Sequence, residues 1–160
     1  MKKILLAVAL VLMTASTASA DITAFLGVNA TPEKRAVKGL AFGTGLLIVG
    51  FEVEYADTSE DLEFGGPRLR TIMFNGLLQT PIPIAGMQFY ATTGGGGYRE
   101  SFSTVPEISE TSFGTNIGGG AKISLAGPLR VRVDYRIFNL RGNARHSTVQ
   151  RFYAGVNVKF

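Results

Sequence analysis

Beyond about residue 20, apolar and polar residues alternate with a period of two along most of the chain. Such alternation marks strands with one apolar and one polar face. It is cleanest where Leu129, Val131, Val133, Tyr135 and Ile137 oppose Arg130, Arg132, Asp134, Arg136 and Phe138. The end of the chain repeats it. Phe152, Ala154, Val156, Val158 and Phe160 share one face, and Arg151, Tyr153, Gly155, Asn157 and Lys159 share the other. Strands are predicted near residues 22–29, 38–48, 68–78, 87–98 and 112–125, with a further one that sets Phe51, Val53 and Tyr55 against Glu52 and Glu54. Together with the last two, the pattern predicts eight. In the fourth, Ile72, Phe74 and Leu78 form one apolar face, while Leu69, Met73 and Leu77 fit the opposite phase. The adjacent Phe89 and Tyr90 leave the phase of the fifth open.

The connections also alternate. Segments 31–35, 57–67, 99–110 and 141–147 are longer and polar, whereas Val49-Gly50, residues 80–86 and Ala126-Gly127-Pro128 read as turns rich in Gly and Pro. The start of the chain has a different character. Lys2 and Lys3 precede an apolar run over residues 4–13, and Ala18-Ser19-Ala20 is an A-x-A-like cleavage site. These are the three parts of a secretory signal peptide over residues 1–20, which would leave a mature domain over 21–160. The apolar run is short for a membrane helix. Cys is absent, which removes a lipoprotein anchor, a disulfide framework and thiolate chemistry. The net charge of +4 falls to +2 without the leader, too little and too scattered for a nucleic-acid partner.

Alternation does not say which face points inward. A soluble barrel has its apolar residues inside; a membrane barrel has the reverse. Three features favour the membrane. The leader implies export. The polar faces are crowded with Gly114, Gly118, Gly120 and Gly155, as a narrow interior requires. The apolar faces carry bulky residues on nearly every strand. No mature segment has the length of a membrane helix, so the chain would cross as a closed barrel.

The strand count, the loop asymmetry and the final strand ending in Phe160 resemble the small eight-stranded outer-membrane barrels of the OmpA/OmpX type, over the whole mature chain. The resemblance implies an all-β, eight-stranded antiparallel up-and-down transmembrane β-barrel in the cell outer membrane, with short periplasmic turns and longer outside loops. It also implies a C-terminal signal, Phe152, Val156, Val158 and Phe160, read by the barrel-assembly machinery. The other expected partners are outer-membrane lipid and lipopolysaccharide, with no cofactor and a monomeric state.

Turning the polar faces inward predicts a lumen network of Glu52, Glu54, Lys122, Arg130, Arg132, Asp134, Arg136 and Lys159. The third and seventh strands face each other across an eight-stranded ring, and isolated buried charges are costly, so pairing is expected. Arg68, Arg70, Arg99, Arg141 and Arg145 fall near the outer ends, where they are candidates for lipopolysaccharide phosphates. Asp57, Glu60, Asp61 and Glu63 form an acidic stretch without a calcium-loop pattern, so no metal site is assigned. The Thr93 to Gly97 run lacks the Lys and Ser/Thr of a phosphate loop. His146 and Ser147 are adjacent, which sends their side chains to opposite faces of a strand, whereas lipid A deacylases resembling this chain in barrel size place His and Ser two apart. The reading is a non-enzymatic barrel with an occluded, charged lumen and a structural or surface-interaction role. The alternatives are a small gated pore, a lipid A-modifying enzyme, and a soluble periplasmic ligand-binding barrel.

Overall fold

The computed structural model describes residues 19–31, 33–103 and 108–160. The expected leader lies outside these residues except for Ser19 and Ala20. The strands are β1 (Ser19–Asn29), β2 (Arg35–Leu46), β3 (Val49–Thr58), β4 (Arg68–Gln79), β5 (Met87–Phe102), β6 (Ile108–Ala126), β7 (Leu129–Leu140) and β8 (Thr148–Lys159). Each pairs antiparallel with its chain neighbours, and β8 closes on β1 from Asp21↔Lys159 to Asn29↔Arg151. The chain is a closed, all-β, up-and-down barrel of eight strands.

The faces are inverted relative to a soluble protein. Leu26, Phe51, Phe74 and Ile117 are between 63% and 70% exposed on the outer wall, whereas Arg132, Arg136 and Arg151 inside are 0% exposed. Water would oppose both placements; lipid outside and paired charges inside favour both. In β4, Ile72, Phe74 and Leu78 face outward, while Leu69, Met73 and Leu77 face inward. In β5, Phe89 is outside and Tyr90 inside.

Several predicted boundaries move. The turn after β2 is Leu47-Ile48, with Leu47 at φ 52°, and Val49 and Gly50 are already paired in β3. Asp57 belongs to β3, and residues 99–102 and 108–110 extend the β5–β6 hairpin rather than forming a loop. Polar composition made that stretch look irregular, yet antiparallel pairing continues past the bilayer, where water solvates polar side chains. The connection over 80–86 is as long as that over 141–147, although Ile84 and Met87 pinch it into a tight turn. The two glycine runs lie on adjacent strands but out of step: Gly94 pairs with Asn116, and Gly118 with Thr92.

The outer wall yields a depth-dependent expectation. Phe74→Lys, in the middle of the wall, should cost about 2–4 kcal/mol, whereas Thr111→Lys near the loop end should cost about 0–1 kcal/mol. Urea unfolding from lipid vesicles measures both; equal costs would contradict a lipid-facing band.

Candidate functional site

The inward residues of the strands line the lumen in three layers. At the end carrying the turns, Asp21 of β1 accepts from Lys122 Nζ of β6 at 2.5 Å and from Arg130 Nη2 of β7 at 3.0 Å. Arg130 also donates to Asn157 Oδ1 at 2.7 Å and to Gln88 Oε1 at 3.2 Å. Space of about 30 Å³ remains in the mouth bounded by Asp21, Glu52, Gln88 and Lys122, which is room for about one water.

The middle layer is an ion cluster of Glu52, Glu54 and Asp134 with Arg132, Arg136 and Arg151. Arg136 reaches furthest: its Nη2 donates to Glu52 Oε1 at 2.8 Å, its Nε donates to Asp134 Oδ1 at 2.8 Å, and its Nη1 lies 3.2 Å from Glu54 Oε2. Arg132 bridges Glu52 and Asp134, and Arg151 pairs with Glu54 at 3.2 Å. Two tyrosines knit the charges together. Tyr153 donates to Glu54 Oε2 at 3.1 Å, and Tyr90 donates to Asp134 while accepting from Arg132 Nε at 2.8 Å. Three carboxylates meet three guanidiniums, so the cluster is neutral, as burial of all six requires. Gly120 makes room for it: a Cβ there would lie 2.5 Å from the Tyr90 hydroxyl.

Toward the loops an apolar cluster joins the buried polar residues Asn29, Thr58 and Glu100. Leu69, Met73, Tyr98, Phe138, Leu140 and Val149 pack together across the lumen. Phe138 also lies under the Arg151 guanidinium, 4.3 Å from its ring centroid, so the apolar layer rests directly on the ion cluster.

An interior of paired charges inside an apolar exterior is the arrangement of an outer-membrane barrel, and the sequence agrees with the architecture. The family model of the outer membrane protein beta-barrel domain matches residues 5–160. The chain belongs to that family. No curated protein matches it in sequence. Among solved structures it is similar to the N-terminal β-barrel domain of Pseudomonas aeruginosa OprF, at 14% identity and a TM-score of 0.70, covering 89% of this chain and 97% of that one. It is similar to Neisserial surface protein A, at 17% identity and a TM-score of 0.69, covering 89% and 96%. It is also similar to the outer membrane enzyme PagL, at 15% identity and a TM-score of 0.55, covering 86% and 98%. At such identities the likeness shows the fold, and the family places the chain in the outer membrane.

Seven of the eight residues expected in the lumen network are buried and paired there. Lys159 is not: it is exposed at the turn-end rim and makes no ion pair among the described residues. It has the inward phase, but it is the last residue of β8, and its strand partner Asp21 is already held by Lys122 and Arg130. Arg130, expected to meet the acids of β3, turns to Asp21 instead. The reading of the sequence missed Asp21, Arg151, Tyr90 and Tyr153. Arg151 and Tyr153 were legible in phase, since they share the polar face with Asn157. Asp21 was lost by starting β1 three residues too late, at residue 22 instead of Ser19.

Phe152, Val156 and Phe160 face outward, and the Phe160 backbone exchanges hydrogen bonds of 2.8 and 2.9 Å with Ala20. The five outer arginines separate into two groups. Arg68, Arg70 and Arg99 lie on the outer faces of β4 and β5, with Asp57 held by Arg68. Arg141 and Arg145 sit in the last loop, where Arg145 leans on Phe102 with its guanidinium 5.9 Å from the ring centroid. His146 and Ser147 lie in the same loop.

Breaking the cluster should be costly, and breaking it symmetrically less so. Arg151→Met alone is expected to destabilise by about 3–5 kcal/mol because it strips Glu54 of a partner. Adding Glu54→Gln should recover part of that loss, by at least about 1 kcal/mol relative to additivity. A double-mutant cycle by urea unfolding measures the coupling; strict additivity would show that the pair contributes nothing.

Proposed function

We propose that this protein is a non-enzymatic structural barrel of the outer membrane, whose lumen is closed to ions and solutes and whose contacts with the surroundings are made at its outer face and loops. The observation that carries this reading is the stacking of two seals of different chemistry. The neutral six-charge cluster fills the middle of the lumen, and the layer around Phe138 and Leu140 covers it on the loop side. An eight-stranded ring is just wide enough for side chains to fill. An ion would have to displace paired charges and then cross an apolar layer.

The same fold carries catalysis in PagL, so the case against an enzyme rests on this chain's residues. His146 and Ser147 are consecutive in a loop. A nucleophile and its base need their side chains within hydrogen-bond reach and the base oriented by a third group. Neighbouring positions without a strand to align them do not supply that. Export by cleavage after Ala20 and recognition of the terminal strand through Phe160 complete the proposal for how the barrel reaches its membrane.

Two measurements test this reading. In planar bilayers the wild type should show no stepwise current. Arg132→Ala should also show none, because the apolar layer stays in place. Current in the wild type would establish a pore, and current in Arg132→Ala alone would make the ion cluster the sole seal. Incubation with lipid A should leave its acyl chains intact. Loss of a chain in wild type but not in His146→Ala would establish an enzyme.

A further inference from the structure

The outer wall is electrically lopsided. Among the described residues, every charged side chain that points outward from a strand lies on β2 to β5: Lys38, Asp57, Arg68, Arg70 and Arg99. The outward positions of β1, β6, β7 and β8 carry none. Four of the five form one row of directly paired residues, Lys38↔Asp57↔Arg70↔Arg99, which ends at Thr111 of β6.

The row is not balanced. Arg68 occupies Asp57 through both carboxylate oxygens, with Nε at 2.9 Å from Oδ1. Arg70 Nε is left 4.0 Å from that carboxylate and is buried without a hydrogen-bond partner. Among the described residues, Arg99 reaches only the Ser109 hydroxyl at 3.1 Å and Lys38 makes no ion pair. Arg70 and Arg99 moreover stand directly opposite each other on adjacent strands, an arrangement of like charges that destabilises a sheet. An anion between them removes the penalty.

The surroundings say what kind of anion. Directly below the row, Leu40, Tyr55, Ile72, Gly97 and Phe113 are paired across the same strands, and all are apolar or Gly. Lys38 lies eight residues along β2 from Leu46 at the turn end. At about 3.4 Å per residue and the usual tilt, that sets the row roughly 20 Å above the turns, near the upper edge of an apolar band about 25 Å tall. A groove of about 540 Å³ runs beside Lys38 and Asp57, walled by Ala24, Leu26, Leu40, Tyr55, Ala154 and Val156. Lys38 and Arg99 are three strand spacings apart, about 14 Å. One phosphate cannot meet both, whereas two phosphates on one sugar headgroup can.

We propose that the outer face of β2 to β5 is a binding site for a bis-phosphorylated glycolipid of the outer leaflet, the lipid A part of lipopolysaccharide. Lys38 holds one phosphate, Arg70 and Arg99 clamp the other, and an acyl chain lies in the groove beside Lys38. Arg68 is spent on Asp57, and the loop residues Arg141 and Arg145 take no part.

The test titrates the folded barrel in detergent micelles with bis-phosphorylated lipid A, fully dephosphorylated lipid A and phosphatidylglycerol. Folding is checked by heat-dependent gel mobility. The variant Lys38→Gln/Arg70→Gln/Arg99→Gln should bind lipid A roughly a hundredfold more weakly than wild type, while Arg141→Gln/Arg145→Gln should bind as wild type does. Equal binding by the triple variant and wild type, or an equal loss in the loop variant, would overturn the site. If the triple variant does not fold, the wild type decides alone: dephosphorylated lipid A must bind far more weakly, and equal affinity overturns the proposal. Phosphatidylglycerol bound as tightly as lipid A would overturn the assignment to the glycolipid.

Discussion

A strand in hydrocarbon has no water to satisfy its N–H and C=O groups, so every backbone hydrogen bond must be made within the sheet. The pairing of β8 with β1 meets that demand, and the other features depend on it. Closure fixes a ring of eight, and a ring of eight fixes a narrow interior. Period-two alternation then sends one set of side chains into that interior and the other into lipid. The ladder from Asp21↔Lys159 onward places the two ends of the folded ring side by side.

A narrow interior could have been filled with apolar side chains alone. Here its middle holds charges, and they are held in a particular way. No carboxylate of the cluster serves one partner only: Glu52 and Asp134 each touch Arg132 and Arg136, and Glu54 touches Arg136 and Arg151. Shared partners order several long side chains at once and tie β3, β7 and β8 together across the lumen. The apolar layer above has a different consequence. It sets low-dielectric surface against the cluster, where Phe138 lies 4.3 Å from the Arg151 guanidinium, and in such surroundings a single break is expensive. Outside, the arrangement is reversed, with apolar rows throughout and charge confined to one edge of one half of the wall.

The fold was largely legible because a sheet with two unlike environments writes its register into the sequence. The phase became ambiguous where the two environments stopped being unlike. In β4, Leu69 and Met73 are apolar yet face inward, since they join the apolar cluster of the loop-side lumen, and Leu77 faces inward at the polar turn-end mouth. In β5, Tyr90 has an aromatic body that suits lipid and a hydroxyl that is needed by Asp134 inside. The lumen residues were mostly legible as a set, because charged inward positions stand out against Gly and Thr. Their pairing was not, because partners across a barrel depend on strand stagger and side-chain reach. Arg130 meeting Asp21 instead of the acids of β3 is such a case. Lys159 shows the other limit: phase alone cannot say that a residue at a strand end lies beyond the wall.

In this barrel apolar faces meet lipid and polar faces meet one another. The chain has no Cys, so single labelling sites can be introduced at will. Phe74 and Asn75 are consecutive in β4 and point to opposite faces, 65% and 3% exposed. Spin labels at Phe74→Cys and Asn75→Cys, in barrels reconstituted in bilayers, report contact with oxygen dissolved in lipid or with a water-soluble relaxant. Strong oxygen contact is expected at 74, and neither contact at 75. A label at 74 that meets water, or one at 75 that meets lipid, would contradict this arrangement.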